Sequence, residues 1–283
     1  MTPAAIDFGH AALRFDGAAH IMGILNVTPD SFSDGGVHLQ TEAAVASGLQ
    51  MLQDGATILD IGGESTRPGA QPVSPQQELD RVVPVIAALR KAAPQAIISI
   101  DTTKAAVAAA CLKAGADIVN DLSGFDFDPQ MASVVADAGA AAVLMHIRGT
   151  PRTMQRDTHY DDVVDDVCAA LDARIKAAVD KGVQRHRLMV DPGIGFGKNM
   201  QGNVRLIKHA HRFGHGEHAV LIGPSRKSFI GHILSEPDPT KRVWGTAGAV
   251  AAAVCFGAHI LRVHDVKPMV EAIRVAEAIH GAP

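Results

Sequence analysis

A chain of 283 residues has room for one large α/β domain or two modest ones, and its formal net charge of −4 argues against a protein that coats a polyanion. Apolar residues make up 47% but aromatics only 4%, so the core must be built from Ala, Val, Ile and Leu, and a base-stacking surface for single-stranded nucleic acid is disfavoured. No apolar run reaches bilayer length: the nearest, "AGAVAAAVCFGAHILRV", is split by Gly257 and His259 into a helix and a strand. The start, "MTPAAIDFGH", lacks the basic and apolar regions of a signal peptide. Cys111, Cys168 and Cys255 lie far apart in Ala/Val-rich helical patterns. Buried reduced thiols and a cytoplasmic protein are the expectation, with neither nucleic acid nor membrane as partner.

Along the chain, "IDFGHAALRFDG" alternates as a small hairpin would, and residues 1–19 are expected to plug one end of the larger fold downstream. Eight short, almost wholly apolar runs come next: "HIMGILNVT", "ATILDIGG", "IISID", "DIVND", "AAVLMH", "RLMVDPG", "AVLIGPS" and "HILRVH". Such runs suit parallel strands buried on both faces. Helical patterns separate them. Residues 41–55 close on Gly55, and the stretch from Ser74 opens with a capping box to Gln77 and Pro75 in the first turn. Further helices end at Gly115 and Gly139, the longest spans about Asp161 to Lys181, and the last begins near Pro268. Eight βα units without a composition break predict a single (β/α)8 TIM barrel over 1–283. The rival doubly wound sheet would want a glycine-rich dinucleotide loop after its first strand, and "NVTPDSFSDGG" is not one.

In a barrel, chemistry collects where the strands end. Those ends read Asn26; Glu64 with Ser65, Thr66 and Arg67; Asp101; Asn120 with Asp121; His146; Asp191; Ser225 with Lys227; and Arg262 with His264. One such residue is usually a helix cap, and Thr102 and Asp265 are expected to be no more than that. Eight polar ends on eight strands exceed that explanation. Asp101, Asn120 and Asp191 offer acceptors to a flat heterocycle with several N–H donors, with Lys227 against its carbonyl or ring nitrogen. Arg67, Arg262, His264 and Asn26 suit a phosphate or diphosphate. In "VLIGPSRKSF" two cations follow an apolar run directly, and each needs an anionic or strongly hydrogen-bonding partner.

Two Gly/Pro/Ser-rich loops, "NVTPDSFSDGG" and "GGESTRPGAQPVSP", are long enough to close over a substrate, and Phe32 and Arg67 favour that over a plain surface loop. No nucleophile elbow, HExxH or P-loop is present. The histidines at 209, 211, 215 and 218 read as a solvated helix end rather than a metal site, and "DPGIGFGK" is weak as a phosphate loop.

The segments "GILNVTPDSFSDGG", "DIGGESTRPGA", "DIVNDLSG", "MHIRGTPRTMQ", "DPGIGFGK", "GPSRKSF" and "RVHDV" resemble, in order, the signature segments of the dihydropteroate synthases, a pterin-binding TIM-barrel family. The likeness runs from about Ile21 to Glu277, and Arg148 falls where the family varies. It implies a transferase of folate biosynthesis joining 7,8-dihydropterin-6-ylmethyl diphosphate to p-aminobenzoate. Asp101, Asn120, Asp191, Lys227, Met145 and Phe196 would hold the pterin, and Asn26, Arg67, Arg262 and His264 the diphosphate, with Mg2+ through Asn26. Phe32, Thr66, Pro68, Lys227 and Ser228 would meet p-aminobenzoate, and Lys227, Arg262, His264, Asp101 and Arg67 would carry catalysis. The family also implies a homodimer, expected through the last two helices. A methyltetrahydrofolate-binding corrinoid methyltransferase would have less use for "ESTRPG", and a non-catalytic pterin-binding paralogue would show damage in the long loops.

Overall fold

The structure, a computed structural model, describes residues 2–28, 36–65 and 72–282. Two short antiparallel strands, β1 (Ile6–Asp7) and β2 (Ala12–Leu13), precede eight parallel ones: β3 (His20–Asn26), β4 (Ile58–Gly62), β5 (Ile97–Asp101), β6 (Ile118–Asp121), β7 (Ala141–Met145), β8 (Leu188–Asp191), β9 (Leu221–Ile222) and β10 (Ile260–Val263). The sheet order is β8-β7-β6-β5-β4-β3-β10-β9, and a parallel bridge between Val190 and Val220 joins its two edges into a closed barrel. That closure rules out the doubly wound alternative. Around it lie α1 (Gly36–Gln53), α2 (Pro75–Ala92), α3 (Ala105–Ala114), α4 (Met131–Ala138), α5 (Val163–Asp180), α6 (Met200–Lys208), α7 (Ser228–Leu234), α8 (Val243–Cys255) and α9 (Val266–His280).

Local chemistry sets the helix ends. Ser74 and Gln77 form the reciprocal capping box at the head of α2, and Asp162 accepts the N–H groups of Val164 and Asp165 to start α5. Gly115 and Gly139 take left-handed backbone after α3 and α4, where a Cβ would be strained, and both ends close with the same two carbonyl contacts one turn back.

Period-2 alternation divides the strands between two cores. In β4, Leu59 and Ile61 pack outward against the helices while Ile58 points into the barrel. Every strand of the barrel contributes to that interior layer: Met22, Ile58, Ile97, Ile118, Ala141 with Val143, Met189, Leu221 and Ile260. Ile6, Leu13 and Phe15 of the hairpin seal it from below, as the opening stretch predicts. Cys111 is buried, whereas Cys168 and Cys255 are only partly so, and all three are free thiols. Among the described residues no helix is long and apolar enough to cross a membrane.

Candidate functional site

Two residues further along the inner faces of β4, β5, β6, β8 and β10, the side chains turn polar: Asp60, Ser99, Asn120, Asp191 and Arg262. Asp60, wholly buried, follows Ile58 on β4, and three donors converge on it. Ser99 Oγ donates to its Oδ1 at 2.6 Å; Asn120 Nδ2 donates to Oδ2 at 3.0 Å and Arg262 Nε to the same oxygen at 2.6 Å. Arg262 Nη2 continues to Asp101 Oδ2 at 2.6 Å. One guanidinium thus spans two carboxylates from neighbouring strands, each bond charge-assisted. Burial works against the Arg262 cation, but Asp60 and Asp101 outweigh it and hold its pKa above the ordinary arginine value. Burial also pushes the Asp101 carboxyl up to about 7, with Arg262 opposing. Asn26 lies beside this group: register pairs it with Gly62 and Gly62 with Asp101, and a Cβ on Gly62 would touch both Asn26 Oδ1 and Asp101 Oδ2. The glycine keeps that corner open.

Asp191 ends β8, buried, with Oδ1 accepting the Gly193 N–H at 2.7 Å. Burial raises its pKa, with Lys227 the main opposing influence. Lys227 reaches across from the head of α7, donates to the Ile194 carbonyl, and sets its ammonium 4.4 Å from the centre of the Phe196 ring. Burial lowers its pKa to about 8, against the pull of Asp191. Met145 belongs to a small apolar cluster with Leu122, Ile147 and Met154, and Phe196 packs on it, so the polar groups face an apolar wall. Buried acceptors, an ammonium and an apolar wall are the groups that suit a flat ring with donors on its edge.

The loop behind Asp191 is pinned by Lys198, a residue the reading of strand ends passes over. Its buried ammonium donates to the His146 and Gly193 carbonyls, both at 2.9 Å, and burial holds its pKa well below the lysine norm. Gly193, at φ +73°, has no room for a Cβ, which would lie 2.0 Å from the His146 carbonyl oxygen; one on Gly195 would lie 2.8 Å from Lys227 Cδ. The segment after β7 clamps this loop from outside. Gln155 donates to the Gly195 carbonyl at 3.1 Å and Tyr160 to that of Gly197 at 3.0 Å. Arg148, given no weight in the sequence, stacks 3.7 Å above the Tyr160 ring. His146 is buried and neutral, its pKa pushed down to about 2 by burial first and by Lys198 next.

On the far side, Ser225 Oγ and His264 Nδ1 share a hydrogen bond of 3.0 Å. Asp265 is more than a cap. It makes no side-chain hydrogen bond to α9 and instead takes Arg226 in a two-pronged pair at 3.0 and 2.6 Å. Thr102 does act locally, accepting the Lys104 N–H at 3.2 Å. Ser228 opens α7, and its carbonyl oxygen lies 2.8 Å from the His232 ring. Glu64 anchors the second long loop: Lys104 bridges it to buried Glu78, and Glu64 Oε1 accepts the Val73 N–H at 3.1 Å.

The structure therefore brings Asp101, Asn120, Asp191, Lys227, Met145, Phe196, Asn26, Arg262 and His264 to one end of the barrel, and adds Asp60 and Lys198. Arg262 is tied to the carboxylates at the centre rather than set apart with an anion group. Phe32, Thr66, Arg67 and Pro68 lie outside the described residues. Among the described residues no three His, Cys, Asp or Glu are grouped as metal ligands; of the late histidines, His209 and His211 stay ring by ring at 6.2 Å, while His215 meets Asp172 and His218 is buried against the Leu188 carbonyl.

Comparison with known proteins agrees with this arrangement. The pterin binding enzyme family matches residues 22–264. The dihydropteroate synthase of Synechocystis sp. is 45% identical over 277 residues, covering 98% of this chain and 96% of its own; that of Escherichia coli K12 is 45% identical over 263 residues, covering 93% and 92%. Two solved structures of Xanthomonas albilineans dihydropteroate synthase superpose closely. The one with 4-aminobenzoic acid has a TM-score of 0.92 at 43% identity, covering 100% of both chains. The one with 7,8-dihydropteroate has a TM-score of 0.88 at 41% identity, covering 99% of this chain and 100% of that one. Barrel, inward-facing carboxylates and near-complete coverage converge: the chain belongs to the pterin-binding enzymes and, among them, to the dihydropteroate synthases, a family of transferases.

Proposed function

We propose that the protein condenses 7,8-dihydropterin-6-ylmethyl diphosphate with p-aminobenzoate, releasing diphosphate and 7,8-dihydropteroate. The observation that carries this is the meeting of buried Asp191 and Asn120 with Lys227 at one end of the barrel, Lys227 lying over the Phe196 ring of an apolar cluster. Asp191 accepts the N–H groups of the pterin edge in charge-assisted bonds. Asn120 spends its Nδ2 on Asp60, which turns its carbonyl oxygen to the same task. Lys227, still largely protonated at neutral pH, donates to the ring carbonyl or nitrogen. The relatives solved with 4-aminobenzoic acid and with 7,8-dihydropteroate support this choice of substrates.

The chemistry is electrophile-first. The methylene–oxygen bond breaks with its electron pair leaving on diphosphate, and the pterin methylene cation is stabilised by its ring and by the nearby Asp101 and Asp191 carboxylates. The weakly nucleophilic aniline nitrogen then forms the C–N bond and gives up its proton to water or to the departed diphosphate. Arg262, from its place between Asp60 and Asp101, and His264 are proposed to spread the charge of the departing diphosphate, with Arg67 as the third member of that group. Asn26 would hold Mg2+: its amide oxygen lies across Gly62 from the Asp101 carboxylate, and oxygen donors suit a hard cation that would take its other ligands from diphosphate and water. When bound it neutralises leaving-group charge. Phe32, Thr66, Pro68 and Ser228 are proposed to hold p-aminobenzoate.

The protein is further proposed to work in the cytoplasm as a homodimer. Ile233, Leu234 and Phe256, all exposed, line an apolar groove of about 290 Å3 across α6, α7 and α8, and Trp244 at the start of α8 is 78% exposed. A second copy is the occupant that such a surface suits.

Incubating the protein with pterin diphosphate, p-aminobenzoate and Mg2+ should yield dihydropteroate. Failure to form it, with methyl transfer from methyltetrahydrofolate to a corrinoid instead, would establish the alternative. Asp191→Asn should weaken pterin binding at least about tenfold by calorimetry, because a charge-assisted acceptor is lost. Unchanged affinity would remove Asp191 from the pocket.

A further inference from the structure

Lys227 owes its direction to the residue before it. The Lys227 N–H donates to the Pro224 carbonyl at 3.2 Å, closing a turn whose third residue, Arg226, has φ +60°. Turns of this shape take glycine there, since a Cβ is disfavoured in left-handed backbone. An arginine at the position has to be held by its surroundings.

Each polar part of Arg226 has a partner outside the turn. Its N–H donates to Thr246 Oγ1 at 3.1 Å, its carbonyl accepts from Arg242 Nη1 at 2.9 Å, and its guanidinium grips Asp265 with two bonds. Thr246 is fully buried and passes its own proton to the Arg242 carbonyl at 2.9 Å, so two of the three partners are themselves joined. Arg242, also buried, donates to the Glu236 and Pro237 carbonyls at 2.9 and 2.6 Å, just past the end of α7. Gly231 leaves space for that guanidinium, which a Cβ would meet at 2.6 Å. Arg242 thus grips α7 at both ends, and Lys227 is the residue that caps it. Consecutive cations are sent opposite ways: Arg226 to the head of α9, Lys227 to Ile194 and Phe196.

We propose that Arg226, clamped by Thr246, Arg242 and Asp265, is a positioning residue that aims the Lys227 ammonium into the cleft and touches no ligand itself. This rests on the reading of Lys227 as a pterin contact, yet its geometric core is testable without ligand. Lys227 faces Asp191 from β8, Asp101 from β5 and Arg262 from β10, and burial among them sets where it titrates.

The experiment follows Lys227 by NMR of 13C-labelled lysine in the wild type, Asp265→Asn, Thr246→Ala and the conservative control Thr246→Ser, each checked for folding by circular dichroism. In Asp265→Asn and Thr246→Ala the Lys227 pKa should rise toward the ordinary lysine value as the ammonium gains water. Loss of a carboxylate acting through charge alone would lower it, so a rise reports displacement. Thr246→Ser should keep the wild-type titration. Free pterin affinity should fall about tenfold in the first two variants and stay unchanged in the control. Folded variants with wild-type Lys227 titration would overturn the proposal and reduce the clamp to a local stabiliser of α7. If the wild type makes no dihydropteroate, the functional reading fails, while the titration still decides this one.

Discussion

The two ends of the barrel are built on the same strands and differ by two residues along each. At the hairpin end, Met22, Ile58, Ile97 and Ile118 meet Ile6, Leu13 and Phe15 in a layer without charge. One step along the inner face β4, β5 and β6 carry Asp60, Ser99 and Asn120, with Asp101 one step further, joined across the barrel to Arg262. Apolar burial at the first end is favourable by roughly 25 cal/mol per Å2, while grouping charges at the second is unfavourable until hydrogen bonds offset it. The plugged end stabilises the fold and the polar end spends part of that stability on a preformed site. The arrangement matches the division of labour general to TIM barrels.

The sharpest way to break this contrast is Asp60→Ala. Asp60 is the acceptor for Ser99, Asn120 and Arg262, so truncation leaves a partly buried guanidinium with Asp101 alone. The expected loss is about 3–5 kcal/mol in urea denaturation, with turnover abolished. A loss below about 1 kcal/mol, the range of exposed ion pairs, would mean that water replaces Asp60 readily and that the polar end is not preorganised.

Leu13→Ala probes the other end. Leu13 is 1% exposed and sits in the layer that seals the barrel. Cutting it back should cost about 2–4 kcal/mol while kcat per folded molecule stays at the wild-type value. A parallel fall in kcat would show that the ends are mechanically coupled, and the contrast would fail.

The difference between the ends also explains what the sequence discloses. Apolar runs, Gly115, Gly139 and the Ser74 box report backbone geometry directly, which is why eight strands and the flanking helices are readable. Residues at strand ends stand out because charge follows an apolar run, as with Asp101 and Asp191. Asp60 does not stand out: it lies inside "ILDIG", where only the closed barrel reveals that three strands supply its donors. Lys198 follows a glycine-rich loop and reads as solvated until the fold carries it under the His146 carbonyl. Asp265 reads as a cap because that is the usual use of Asp before a helix, and its bond to Arg226 spans 39 residues of sequence. Contacts between distant elements have no local signature.

The smallest expected effect, and the finest test of the contrast, is the pH dependence at Asp101. Its carboxyl, ordinarily near 3.8, is pushed up to about 7 by burial, against the attraction of Arg262. Between those values the folded protein keeps a proton that the unfolded chain has released, so the slope of stability with pH is negative across that window. The contribution is fully present below the unfolded value and lost as pH rises through the folded one. Asp101→Asn deletes this titration yet leaves an oxygen to accept from Arg262 Nη2. In the ligand-free protein the variant should therefore lose less stability than the wild type between about pH 5 and about pH 8, with a Tm advantage at the upper pH of roughly 2–4 °C for each kcal/mol removed. Pterin binding should weaken in the same variant, since the carboxylate that burdens the empty barrel is the one proposed to stabilise the cation. Thermal melts of both proteins across that range give the comparison directly, because every other titrating group is shared. Parallel curves would show that Arg262 keeps Asp101 ionised throughout, and that its charge costs the empty site nothing.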